Sequence, residues 1–433
     1  MRSFVWDGEI TAQRVRELIP RAQISIDSVA PKVADIIAEV RTEGLAALQR
    51  HAQAFDGVTP ESFRVPRAAM QESLGSLTPE LRRAIEISIE RVRLVSEATL
   101  PKAVKVQVTS GGAVETKFVP VDSVGLYVPG GKAVYPSSTV MNVVPAQVAG
   151  VPRIAVTSPA QKENGGLPSS AVLATCALLG IDEVYAIGGA TAVAALALGV
   201  QEIGLEPVRM VTGPGNIYVA AAKRQLRDQI AIDSEAGPTE ILIIADETAD
   251  PAFVAADLIS QAEHDENAAS VLLTNSQELS QSVQKLLVDQ VAKTQNKERV
   301  ESALQGRQSA IVLVASIDEA VKIANEYATE HLAIQTRSAS KVALQITNAG
   351  AIFLGPHSPV SLGDYLAGSN HVLPTGEQAK FSSGLSVMSF LRTQQLVDYS
   401  AEALAEIREE LRVFADSEGL PAHSDAVQIR FDD

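Results

Sequence analysis

Residues 183–199 read EVYAIGGATAVAALALG: a short apolar run, a Gly-Gly turn, then an Ala/Leu-rich helical run closed by glycine. The same unit recurs on both sides. SVGLYVPGG (123–131) leads into VYPSSTVMNVVPAQVAG (134–150), whose Ser137 or Ser138 is placed to cap a helix. VRMVTGPGNIYVAAAKRQL (208–226) repeats the pattern, and RIAVTSP with LPSSAVLATCALLG supplies another strand and helix around a polar loop at 162–166. Apolar strands alternating with helices of 10–15 residues indicate βαβ units and a parallel sheet.

A second series starts after residue 236. EILIIAD, a helix at 251–263, SVLLTN and a helix at 277–293 are followed by a polar link (294–308), AIVLVAS, another helix and AIFLGP. Near-continuous apolar strands such as ILIIA suit a sheet covered on both faces. Two related α/β lobes with a cleft between them are expected. Residues 1–119 read as mostly helical, with three-to-four apolar spacing over 30–54 and 78–98. Residues 355–384 read as loop, and the chain ends in an amphipathic helix near 399–414 and a polar tail.

Composition narrows the class. The 433 residues are 46% hydrophobic and 20% charged, ordinary for a globular enzyme of two or three domains. A net charge of −16 excludes a nucleic-acid or anionic-membrane partner, which needs a basic surface. No apolar run reaches a membrane span, and MRSFVWDGEI lacks the basic-then-apolar signal pattern. The single cysteine, Cys176, sits in an apolar helical pattern and is expected to be a buried thiol in a reducing cytoplasm.

Five of six histidines follow residue 260. His331 adjoins Glu330 in EYATEHLAIQ, where a helical run gives way to a strand. Two neighbouring bases of different intrinsic pKa can serve two different proton transfers. Gln261 and His264 stand at i, i+3 in LISQAEHDE, on one helix face. Asp364 and His371 flank a Gly/Asn/Pro-rich loop, and His423 lies five residues after Glu418. Two imidazoles, a carboxylate and an amide suit a zinc-like ion, although no spacing is a strict metal signature, so ordinary core or surface histidines remain the alternative. His51 and His357 read as surface residues. The glycine turns at Gly130-Gly131, Gly188-Gly189 and 213–216 each open a helix, where backbone N–H groups can meet phosphate; there is no GxGxxG, and each turn is equally explained as tight βα geometry.

Nine segments in order resemble the histidinol dehydrogenase family: VGLYVPGG, YPSSTVMNVVPAQVAG, IGGATAVAALALG, TGPGN, EAGPTEILIIAD, DLISQAEHD, ATEHLAI, SLGDYLAGSNHVLPT and SGLSVMSFLR. The resemblance implies two incomplete Rossmann-like lobes with parallel-type sheets, a helical N-terminal part and a small C-terminal extension. The corresponding division is 1–119, packing with the second lobe; 120–235, the NAD side; 236–384, with the metal and catalytic residues; and 385–433, a helical tail crossing to a partner subunit. It implies zinc- and NAD-dependent four-electron oxidation of L-histidinol to L-histidine through a bound aldehyde, in a homodimer. Gln261, His264, Asp364 and His423 match the zinc ligands, and Glu330 and His331 the catalytic pair. Thr239, His331, His371 and Glu418 match substrate contacts, which the ligands share. Tyr127, Thr191 and Asn216 fall where the family contacts NAD. Thr191 stands where the family pattern has Gln, and Thr239 where many members have Ser; the first shortens a cofactor contact, the second keeps the hydroxyl. A paralogue oxidising another small polar alcohol would share the metal and Glu-His residues, with Glu418 favouring a cationic or hydrogen-bond-donating ring over an anionic head. A non-catalytic binding protein would have no need of them.

Overall fold

The computed structural model describes residues 1–22, 26–130, 134–235 and 237–431. Gly131, and Ala236 at the expected start of the second lobe, lie outside the described residues. The strands are β1 (Arg2–Val5), β2 (Val104–Thr109), β3 (Gly112–Pro120), β4 (Ser123–Tyr127), β5 (Arg153–Ser158), β6 (Val184–Ala186), β7 (Met210–Thr212), β8 (Ala231–Ile232), β9 (Glu240–Ala245), β10 (Ala269–Thr274), β11 (Ala310–Leu313), β12 (His331–Gln335), β13 (Ala351–Leu354) and β14 (Leu391–Tyr399).

Two sheets are parallel throughout. One has the order β6-β5-β4-β7-β8, the other β1-β11-β10-β9-β12-β13. In each, the edge strand β1 apart, the chain starts at a central strand, steps outward twice, then returns to that strand's other side. That is the doubly wound order, one strand short, and it opens a crevice where the direction reverses. The reversals fall between β4 and β7 and between β9 and β12. Every residue of β9 and β10 is buried, as a sheet covered on both faces requires.

The outer parts differ from the sequence expectation. Residues 1–119 contain three strands besides their helices. β1 extends the six-stranded sheet beside β11, while β2 and β3 form an antiparallel sheet with β14. The tail is therefore not wholly helical, and its helices lie at Ala401–Glu406, Arg408–Ser417 and Pro421–Gln428. Nor does the N-terminal part pack mainly with the second lobe. Helices Ala30–Glu43, Arg67–Gly75 and Pro79–Ala98 rest on the helices of the five-stranded sheet, and the Ala12–Leu18 helix on the six-stranded one. The polar link at 294–308 holds a further helix, Lys297–Gln305. No helix among the described residues is long and apolar enough to cross a membrane. Cys176 is buried, and burial pushes its thiol up to about 12.

The turn after β7 is fixed by charge. Gly213 has φ +114°, and a Cβ there would lie 2.0 Å from the Tyr127 carbonyl oxygen, so only glycine fits. Lys223 Nζ donates to the Gly213 carbonyl at 2.6 Å and to Asp233 Oδ1 at 2.6 Å, and the Gly213 N–H donates to Asp233 Oδ2 at 2.8 Å. Both charged side chains are buried. Lys223→Met leaves Asp233 charged and unpaired, and is expected to cost about 3–5 kcal/mol in chemical denaturation, with the added Asp233→Asn recovering part of it. A cost of about 1 kcal/mol or less, the range of an exposed pair, would contradict this clamp.

Candidate active site

The carboxyl ends of the five-stranded sheet border a cavity of about 890 Å³, lined by Tyr127, Gly188, Gly189, Thr191 and Asn216. This volume is in the range of cofactor pockets. The buried Tyr127 hydroxyl accepts the Gly189 N–H at 3.3 Å, and burial raises its pKa to about 12, so it is un-ionised near neutrality. Asn216 Oδ1 accepts the N–H groups of Tyr218 (3.0 Å) and Val219 (3.3 Å), capping the helix Ile217–Gln225.

His51, expected at the surface, is instead buried in the wall of this cavity. Its Nε2 lies 2.9 Å from Glu39 Oε2 and its Nδ1 3.0 Å from Thr191 Oγ1. A carboxylate only accepts, so Nε2 carries the proton, and in the neutral ring Nδ1 accepts from the Thr191 hydroxyl. His51 closes the helix Leu45–His51, and the next turn, Ala52–Asp56, is a π-helix. His357, as expected, is exposed.

The second group of residues gathers at the amino ends of β9 and β12, which are adjacent and parallel, with His331 paired to Ile241. Thr239 and Glu240 open one strand, Glu330 and His331 the other. Glu330 Oε2 accepts the Thr239 hydroxyl at 2.5 Å and the Glu240 N–H at 2.9 Å. Burial holds its carboxyl above the usual range, while the nearby His331 and these two donors pull the other way. His331 Nδ1 lies 3.0 Å from the Glu240 carbonyl and 3.4 Å from Glu330 Oε2. A carbonyl only accepts, so Nδ1 carries a proton and Nε2 is left with its lone pair.

Around this pair stand the other candidates. Gln261 donates from Nε2 to Thr239 Oγ1 at 2.6 Å, while its buried Oε1 has no hydrogen-bond partner. His264 Nδ1 bonds the Ser260 carbonyl at 3.1 Å, so its Nε2 faces Asp364 Oδ2, 3.9 Å away. His371 donates from Nδ1 to the Asp364 carbonyl (3.0 Å), and its Nε2 lies 3.2 Å from Ser138 Oγ. Burial lowers its pKa despite the neighbouring Asp364 carboxylate, which favours the neutral ring. Ser138 belongs to the first turn of the helix Pro136–Val148, so this contact joins the two lobes.

His423 and Glu418 are elsewhere. They line a cavity of about 490 Å³ among Ile407, Leu411, Phe414 and Leu420 on the terminal helices. Among the described residues, no three His, Cys, Asp or Glu side chains converge on a metal position. Gln261, His264 and Asp364 nonetheless fit zinc chemically: an orphaned buried amide oxygen, an imidazole nitrogen fixed by its other nitrogen's hydrogen bond, and a carboxylate beside it. His423, the other expected ligand, is not among them.

Sequence reasoning read Ser138 as a possible helix cap, whereas Tyr135 holds that position and Ser138 meets His371; it missed Arg21 and Glu240. Glu240 left a signal, a charged residue at the head of the wholly apolar run ILIIA; a buried charge at a strand's start needs a partner.

Two doubly wound sheets, a large cavity at the carboxyl ends of one and a buried Glu-His pair at the edge of the other, define a dehydrogenase-type α/β enzyme. A family model described as histidinol dehydrogenase matches residues 19–431. The chain is 54% identical over 423 residues to a histidinol dehydrogenase of Leifsonia xyli subsp. xyli, covering 98% of this chain and 97% of the relative. It is 56% identical to one of Streptomyces avermitilis, covering 96% and 94%. The solved histidinol dehydrogenase of Elizabethkingia anophelis superposes with a TM-score of 0.94 at 31% identity, covering 100% of this chain and 98% of that one. The chain belongs to the histidinol dehydrogenase family of oxidoreductases.

The raised pKa of Glu330 has a measurable sign. Folding favours the protonated carboxyl, so its contribution to stability is full below the usual carboxylate range and is lost as pH rises through the raised value. Glu330→Gln retains an acceptor for Thr239 and the Glu240 N–H. It is expected to melt about 1–3 °C above the wild type at about pH 8, with the gap closing towards about pH 4. A variant that melts lower at the alkaline end would contradict the burial effect.

Proposed function

We propose that this chain oxidises L-histidinol to L-histidine in two successive two-electron steps, through L-histidinaldehyde kept in the site, as the last steps of histidine biosynthesis. The observation that carries the reading is the Glu330-His331 pair: two bases on adjacent residues, one imidazole nitrogen free and one carboxylate buried, both fixed by Glu240 backbone atoms.

NAD, when bound at the glycine turns and cavity of the first lobe, supplies the hydride acceptor for each step. Tyr127, Thr191 and Asn216 are its proposed contacts, with Thr191 already engaged by His51. Zinc, when bound by Gln261, His264, Asp364 and His423, supplies a template for the substrate's amino and imidazole nitrogens. In the first step His331 Nε2 takes the hydroxyl proton as the carbinol carbon is oxidised. In the second, Glu330 takes a proton from the water that adds to the aldehyde, giving the hydrate whose oxidation yields the acid. Thr239 links the two sides, its hydroxyl joining Glu330 to the Gln261 amide. His371, Glu418 and the metal ligands complete the substrate contacts.

Glu418 and His423 are assigned to the partner's site in a homodimer with exchanged tails. The placement of Glu418 and His423 on the terminal helices, apart from the other candidates, supports this, as do the exposed apolar residues Val413, Phe414 and Ile429 on those helices. The 1–119, 120–235, 236–384 and 385–433 division is kept as functional parts, with the tail serving the second copy. A cytoplasmic enzyme fits the one buried thiol.

Glu330→Gln is expected to slow aldehyde-to-acid oxidation about 10²- to 10⁴-fold while sparing alcohol-to-aldehyde oxidation, assayed as separate half-reactions. Equal loss of both would contradict the division of roles. His264→Ala and His423→Ala homodimers should both be inactive. Co-expressed, they should recover about one quarter of wild-type activity, because half the dimers contain one intact site. No recovery would rule out tail exchange.

A further inference from the structure

Arg21 lies outside both wound sheets, just after the helix Ala12–Leu18, yet its guanidinium reaches the amino ends of β9 and β12. Nε donates to Glu240 Oε1 at 2.6 Å and Nη2 to Glu240 Oε2 at 3.0 Å, a two-pronged contact with a carboxylate that is only 3% exposed. Nη2 also donates to the carbonyls of Tyr327 and Ala328, and Nη1 lies 3.4 Å from Glu377 Oε1. The guanidinium sits 3.9 Å above the Tyr327 ring.

These partners frame the Glu330-His331 pair. Tyr327 ends the helix Ile317–Tyr327, and Ala328 is its left-handed cap at φ +50°. A non-glycine residue is strained there. Two residues later the chain presents Glu330. A cation at this helix end satisfies the last carbonyls and opposes the negative end of the helix dipole. On the other strand, Glu240 is the residue whose N–H holds Glu330 and whose carbonyl holds His331. The Gly376 N–H fixes the same Glu240 carboxylate at 3.0 Å, and Arg16 and Lys380 converge with Arg21 on Glu377.

We infer that Arg21, through its two-pronged contact with Glu240 and its bonds to the Tyr327 and Ala328 carbonyls, is a positioning residue that fixes Glu330 and His331 for both oxidation steps. The inference rests on the proposed roles of that pair. A fork-shaped donor can bind a carboxylate with two nitrogens while one also serves carbonyls; the point charge of a lysine cannot reproduce this.

The test compares Arg21→Met, Arg21→Lys, Glu330→Gln and Arg153→Met in the full-length enzyme, assayed well below each melting temperature and normalised to folded protein. Arg153 makes a comparable two-pronged contact with Glu183 at the amino end of β5 and serves as the control for losing any such pair. Arg21→Met is expected to lower kcat about 10- to 100-fold in both half-reactions alike, with KM for NAD within about twofold, because misplacement by about 1 Å costs rate rather than cofactor binding. Arg21→Lys should fall between Met and wild type, and Arg153→Met should keep wild-type kcat.

Wild-type kcat in Arg21→Met, together with a damaged Glu330→Gln, overturns the inference and leaves the proposed roles standing. An undamaged Glu330→Gln overturns the proposed roles and the inference with them. An equal loss in Arg153→Met shows a general stability effect and also overturns it. Should Arg21→Met fail to fold, a wild-type kcat in Arg21→Lys overturns it.

Discussion

The structure around the site depends on one constraint: a carboxylate, Glu330, is buried at the edge of a parallel sheet and must be satisfied there. An isolated buried charge is costly, so its neighbours are arranged to receive it. Thr239 and the Glu240 N–H donate to it, and His331 stands 3.4 Å away. The two donors lie at the head of the adjacent strand β9, so the pairing of β9 with β12 serves both the sheet and the site. Glu240 brings in a second buried carboxylate, neutralised by Arg21 from a segment outside either lobe. The arrangement keeps one carboxylate paired to a cation while the other is available as a base.

The two lobes use opposite ends of the same topology. In open α/β sheets ligands lie beyond the carboxyl ends of the strands, at the reversal of strand order. The first lobe obeys this: Tyr127 ends β4, and the glycine turns and the large cavity follow. The second lobe places its chemistry at the amino ends of β9 and β12. Its amino edge meets the first lobe near the start of the helix Pro136–Val148, where Ser138 touches His371. A cavity beyond one sheet and a buried Glu-His pair before the other give two similar folds unlike surroundings.

Much of this was legible because burial writes itself into local sequence. Strands covered on both faces must be apolar throughout, so ILIIA and its kin stood out, and glycine turns marked the βα junctions. Glu330-His331 and Gln261/His264 drew notice as neighbours in sequence, their roles were expected only from the family resemblance, and the fold brings Glu330, His331 and Gln261 together around Thr239 and Glu240. What sequence hid was long-range. β2 and β14 are exposed on much of their surface, so the alternation in KVQVT and LRTQQLVDY carried little burial signal; β2 is decided by its hairpin with β3, and β14 by pairing with β3 across more than 270 residues. His51 reads as a surface residue until the fold sets it against Thr191, 140 positions away. Arg21 shows its role only beside Glu240, 219 positions away. Glu418 and His423 lie together on the terminal helices, apart from the other candidates, which spacing along the chain did not reveal.

The most direct measurement is the number of NADH molecules formed per L-histidinol consumed by the zinc-loaded enzyme, beside a chelator-treated sample. Two per substrate, lost on chelation and restored by zinc, is the expected result: two hydride transfers at a metal-completed site. One per substrate would mean that the aldehyde leaves after a single oxidation, and full activity after metal removal would mean that Gln261, His264 and Asp364 serve another purpose. Either result would contradict the account.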